Sequence, residues 1–191
     1  RHAQVLPQIK TAGVGTSAEA GVDVRQPRAH ALCEPCRLCR PDDKADRAMT
    51  PAVIRIIRDE HKAVGSVLSA MLRVLDESRQ QGVRPDFLLL RTMVFYLDEF
   101  PQRRHHAKET ELLFPKLRAR SPLLRPTLDR LDHDHMQGEH HVRELEHALI
   151  AFEMLGEPRR AELERVAQRH AEFCFAPMAL EQRDILPLAL E

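Results

Sequence analysis

The sequence predicts an all-α protein, an up-down-up-down antiparallel four-helix bundle behind a disordered N-terminal tail, and three observations carry that prediction. From Pro51 onward apolar residues recur at alternating steps of three and four, the signature of one buried helix face. Glycine is scarce, with 7 in 191 residues and three of those within the first 21, and β-branched runs are few, which argues against a sheet. Four such amphipathic stretches follow one another with short connections, and neighbours in sequence then pack as antiparallel neighbours in space. An apolar content of 43% is enough to fill the core of one domain.

The first stretch carries Ile54, Ile57, His61, Val64, Leu68, Met71 and Leu75 on one face. Thr50 supplies an N-cap and Pro51 a first-turn proline, and residues 80–85, with Gly82 and Pro85, end the helix. The second, over about 86–118, presents Phe87, Leu90, Val94, Leu97, Pro101, His105, Glu109 and Leu112, with a kink or restart expected at Pro101. The third presents Leu128, Leu131, His135, Gly138, Val142, Leu145, Leu149 and Phe152, opened by Pro126 and closed at Gly156 and Pro158. The fourth reads Leu163, Val166, His170, Phe173, Pro177, Leu180, Asp184 and Leu188.

Residues 1–48 hold no sustained period and read as a tail, or as upstream sequence ahead of a start at Met49, so the domain is assigned to 49–191. Their one chemical feature is Cys33, Cys36 and Cys39, a C-x-x-C-x-x-C run without a fourth ligand in place, read as an unstructured thiol cluster rather than a metal site. The 29 basic residues balance the 29 acidic ones, which gives no electrostatic footprint for nucleic acid. No stretch is long and apolar enough for a membrane span or a secretory leader, so a cytoplasmic location is expected. No nucleophile elbow, phosphate loop or H-E-x-x-H motif is present.

Histidine is the anomaly: there are 11, nine of them between His61 and His170. His61, His105 and His135 each interrupt an apolar stripe near its middle. One such imidazole is most simply a core histidine bonded to a carbonyl or carboxylate, but three at one depth in antiparallel helices would share a layer. Glu109 stands four residues after His105 and projects from the same face, and Glu181 faces the seam of the fourth helix. Buried carboxylates are costly unless paired or coordinated. Two of them with several imidazoles suit a pair of iron or manganese ions bridged by the carboxylates, and zinc shares these ligand types. Glu139, four residues after His135, reads either as an additional ligand or partner, or as an ordinary polar position beside Gly138. His170 reads as a satisfied core histidine with Cys174 as a buried thiol, while His106, His133, His140, His141 and His147 are expected to face outward or flank the site.

These residues resemble the hemerythrin-like HHE cation-binding domains. The matching stretches are IRDEHKAV around His61, FPQRRHHAKETELLFPKL around His105 and Glu109, LDHDHMQGE around His135 and MALEQRDILPLA around Glu181. The resemblance implies a non-heme di-iron centre, with His61, His105 and His135 as imidazole ligands and Glu109 and Glu181 as bridging carboxylates. It further implies binding or sensing of O2 or NO, or alternatively NO or peroxide reduction or iron supply for iron-sulfur cluster repair, with a redox or iron-accepting protein as partner; whether the centre is catalytic stays open. The fourth helix departs from the pattern, because Pro177 stands where relatives have a His ligand, and Gln182 and Thr110 stand where many carry a second Glu. A metal-poor structural bundle is the third reading that follows from Pro177.

Overall fold

A computed structural model describes residues 51–190, and these form helical rods joined by short turns, with no strand among the described residues. The thiol run at Cys33, Cys36 and Cys39, the proposed tail and the Thr50 cap lie outside the described residues. The first rod is α1 (Ala52–Gln80), entered from Pro51 without a side-chain cap. The second begins as α2 (Phe87–Leu97), capped by Asp86, whose carboxylate accepts from the Leu89 N–H at 3.0 Å. It continues through a π-helical segment Asp98–His105, a single turn α3 (His106–Lys108), a second π segment Glu109–Leu113 and α4 (Phe114–Arg120).

A 3₁₀ turn, Pro122–Leu124, leads into α5 (Arg125–Leu155), which carries its proline in the first turn as the sequence requires. Gly156 ends it with φ +76°, a conformation open to glycine at no steric cost. After the 3₁₀ turn Glu157–Arg159 comes α6 (Arg160–Leu180), which passes into a π segment Glu181–Ile185. The α1 rod packs on α2 and α6, α2 packs on α5, and α5 on α6, which closes the four-rod ring.

The apolar interior has two compartments. One is built on Leu68, Met71, Leu90, Leu97, Leu145, Leu149 and Phe152, the other on Ile54, Ile57, Phe114, Leu128, Leu131 and Ile185. Each rod crosses from one compartment to the other through a polar residue: Ile57, His61 and Val64 follow in that order on α1, and Met178, Glu181 and Ile185 on the fourth rod. At the far end, buried Arg160 donates to the Val83 carbonyl at 2.8 Å and to Ser78 Oγ at 3.1 Å, tying α6 to the turn after α1.

Two buried faces differ from the periodic reading. On the second rod Leu112 is exposed and Leu113 with Phe114 is buried instead. On the fourth, Phe173, Pro177, Leu180 and Asp184 are only partly covered and Leu188 is exposed, whereas Ala171, Met178, Glu181, Ile185 and Leu186 are buried. The π segments explain the first shift and the end of the second, since a turn closed by i→i+5 bonds takes one residue more than an α-turn and slides later residues around the axis. At Gly138 the nearest neighbours of a Cβ would be the atoms of the Gln102 side-chain amide, the far end of a flexible side chain that can move aside.

Candidate metal centre

His61, His105, Glu109 and Glu181 are all buried, and each offers a ligand atom within 4.8 Å of the others. Their oxygens divide into two groups. Glu109 Oε1 lies 3.5 Å from His61 Nε2 and 3.3 Å from His105 Nε2, and Glu181 Oε2 lies 3.1 Å from His61 Nε2. The other two oxygens, Glu109 Oε2 and Glu181 Oε1, each lie 3.5 Å from His135 Nε2. Each carboxylate thus turns one oxygen toward the His61 and His105 side and the other toward His135.

None of these approaches is a hydrogen bond. His61 Nε2, both oxygens of Glu109 and Glu181 Oε1 are buried with no hydrogen-bond partner, a costly arrangement in a core unless something fills it. Imidazole nitrogens and carboxylate oxygens converging in this way are a donor set for a borderline or hard divalent or trivalent cation. The residues present therefore fit a metal, and the cost of their burial is offset by its charge.

Partners outside the cluster fix the tautomers. His105 Nδ1 donates to Glu60 Oε2 at 2.8 Å, and Glu60 also pairs with Lys108, so the Nε2 lone pair of His105 points to Glu109. His135 Nδ1 lies 3.3 Å from Thr110 Oγ1, which itself donates to Asp132 at 3.0 Å; Thr110 accepting from that imidazole leaves His135 Nε2 unprotonated. Gln182 Nε2 sits 3.2 Å from His61 Nδ1. Turning that amide over would present its oxygen to an Nδ1 proton and free Nε2 of His61 for a metal. Glu60 was not evident in the sequence as part of the site; its place directly before His61 is the only signal there.

Electrostatics follow from the same geometry. Burial opposes charge on His61, but Glu109 and Glu181 outweigh it and raise its pKa to about 9. Burial and the neighbouring Glu181 carboxylate raise Glu109 to about 7. Burial works the same way on Glu181, yet His135 and His61 hold it down to about 2. Burial, aided by His61, lowers His105 to about 4, and burial with His141 does the same to His170. His106 falls well below the imidazole range through burial and its neighbours His135 and His105.

The metal-free protein should consequently be most stable near neutrality. The depressed imidazoles of His105, His106 and His170 contribute stability that is full above about pH 6.5, their unfolded value, and is lost as the pH falls, through about 4 for His105 and His170 and lower still for His106. His61, raised, contributes stability that is full below 6.5 and lost as the pH rises toward 9. Glu109 acts against the three histidines between 4.5 and 7, as one group against three. Thermal denaturation of metal-free protein should give a Tm that peaks near pH 6.5 and declines on both sides; a Tm rising steadily from pH 4 to 9 would contradict this balance.

A small cavity reaches the cluster, lined by Val64, Phe173, Met178, Cys174 and Pro177 together with His105, His106, Glu109, His135 and Glu181. Pro177 thus borders the site without offering a donor. Glu139 is not brought to it: it is exposed and its carboxylate pairs with Arg143, because the step of four from His135 carries it to the outer side of α5. His133, His140 and His147 are exposed, and His141 stacks on Phe173 with centroids 3.9 Å apart. His170 is buried and lies 3.6 Å from Cys174 Sγ, and its Nδ1 has no partner, so it is not the satisfied core histidine expected. His106 flanks the site, its ring parallel to that of His135 at 3.9 Å between centroids.

Fold and site together define a helical bundle with a buried His/Glu cluster that can hold a metal ion between two apolar compartments. The family model described as the hemerythrin HHE cation binding domain matches residues 52–189, and the chain belongs to that family. No curated protein and no solved structure matches the chain.

Proposed function

We propose that this bundle holds a pair of iron ions between Glu109 and Glu181 and uses the adjoining cavity to bind or sense O2 or NO. The observation that supports it most is the division of the four carboxylate oxygens, one from each carboxylate toward His61 and His105 and one from each toward His135. Two carboxylates so disposed are suited to bridging two ions, and imidazole with carboxylate suits iron or manganese. Iron would supply a redox-active centre with a coordination position for a diatomic ligand.

The chain's own residues provide the rest. Glu60 and Thr110 hold His105 and His135 with their Nε2 atoms inward. Val64, Phe173 and Met178 line the cavity with apolar surface and limit the entry of water. Raised pKa values at His61 and Glu109 mean that metal uptake releases protons, so apparent metal affinity should rise between pH 6 and 9.

Reversible binding separates this reading from its rivals. Iron-loaded protein exposed to O2 or NO should change its visible spectrum, and purging with argon should restore the original spectrum. Repeated turnover of NO or peroxide, or net passage of iron to an apo iron-sulfur protein, would replace the binding role with reduction or iron supply. A second reading, a bundle kept for its structure alone, is favoured only by Pro177 in the cavity wall, and failure to take up iron would establish it.

A further inference from the structure

The two halves of the cluster are unequal. Glu109 Oε1 and Glu181 Oε2 face two imidazoles, His61 and His105, whose ring centroids are 4.7 Å apart. The opposite oxygens face His135 alone. The cavity wall includes Pro177, which has no donor atom, and His106, whose ring stacks on that of His135. An ion held on the His135 side by two carboxylate oxygens and one nitrogen would be short of protein ligands beside its neighbour.

His106 is placed to make up the difference. Its ring is inclined only 7° to that of His135 and lies 3.9 Å from it between centroids, so the two imidazoles are stacked face to face at the cavity. Its Nδ1 is buried with no hydrogen-bond partner, whereas the Nδ1 atoms of His61, His105 and His135 are all engaged. In a regular α-helix two consecutive residues diverge too far around the axis to face one site. Here His105 ends a π segment, and the wider turn reduces that divergence. A buried ring nitrogen without a partner needs a reason, and a metal supplies one.

We infer that His106 is the fourth imidazole ligand of the centre, completing through Nδ1 the half that His135 alone supplies with nitrogen. This rests on the metal-binding reading above and adds to it a ligand from the second rod. Two histidines in succession there, His105 and His106, then serve opposite halves of one site.

The test is an anaerobic titration of the full chain with iron(II), with Cys33, Cys36 and Cys39 replaced by Ser. Stoichiometry and stepwise affinities are read by calorimetry and elemental analysis. His106→Phe keeps an aromatic ring against His135 and removes the nitrogen, and His106→Gln is the second variant should the first fail to fold. The parent should bind two irons, and the variant should keep the first affinity while the second weakens by at least about 10–100-fold, the loss typical even of residues one step from the metal. Adding Pro177→His to the variant should recover the second iron.

Two irons bound by the variant with both affinities unchanged would overturn the assignment. So would equal weakening of both irons together with a lower metal-free Tm, which would make His106 a packing residue. One iron in the parent would also overturn it while leaving the His61 and His105 half intact. No iron in the parent would remove the metal-binding reading itself, and this inference with it.

Discussion

Glu109→Gln is expected to abolish binding of two irons while leaving the metal-free bundle as stable as before, or more so. The side chain is 0% exposed, and both of its oxygens lack hydrogen-bond partners, so the cost of burying this carboxylate is offset only by its attraction to the neighbouring imidazoles. A carboxamide of the same shape removes the buried charge and its repulsion from Glu181, and replacing buried ionic groups by neutral isosteres is often neutral or stabilising. The same change leaves one oxygen where two were needed, so no more than one iron should remain per chain. Metal content and thermal melting measured on one preparation check both halves. A fall in metal-free Tm together with loss of iron would instead mark Glu109 as a structural residue.

Phe152→Ala is expected to have the largest effect on stability, about 3–5 kcal/mol, the usual range for removing a fully buried aromatic ring. Phe152 is 0% exposed, meets Phe87 edge to face at 5.3 Å between centroids, and lies under the Arg160 guanidinium at 4.9 Å. Losing the ring leaves a cavity and also uncovers Arg160, whose hydrogen bonds close that end of the bundle. Phe152 belongs to the compartment at the α5 C-terminus, away from the cluster, so iron bound per folded chain should not change. Urea denaturation gives the free energy; a loss below about 1 kcal/mol would show that the end of the bundle repacks around the gap.

Much of this architecture is legible in the sequence because a straight α-helix repeats its buried face with fixed steps. Ile54 through Leu75 on α1 and Leu128 through Phe152 on α5 follow those steps without interruption, apart from the half-buried His135. The reading fails where the winding changes. Leu112 was expected inside and Leu113 takes its place, because Glu109–Leu113 is π-helical and nothing in residue type marks a π turn. On the fourth rod the same effect moves burial from Leu188 to Ile185 and Leu186.

At the site, His61, His105, His135, Glu109 and Glu181 are visible as polar interruptions of apolar stripes, and the structure brings all five together. Glu60 and His106 are not visible in that way. Glu60 reaches His105 across 45 positions of sequence, and His106 directly follows a π segment that residue type does not mark. Glu139 satisfied the spacing rule for a ligand and is nonetheless exposed beside Arg143, since a step of four turns about 40° around the axis and His135 already stands at the margin of the buried face.

The central claim is that the two buried carboxylates share a pair of metal ions. Iron per chain after anaerobic loading tests it most directly, in protein whose three cysteines at 33, 36 and 39 are replaced by Ser so that thiols cannot hold iron. Two irons per chain, reduced to one or none by Glu109→Gln, is the predicted result. Iron absent from the parent protein, or present in equal amount in parent and Glu109→Gln, would contradict it.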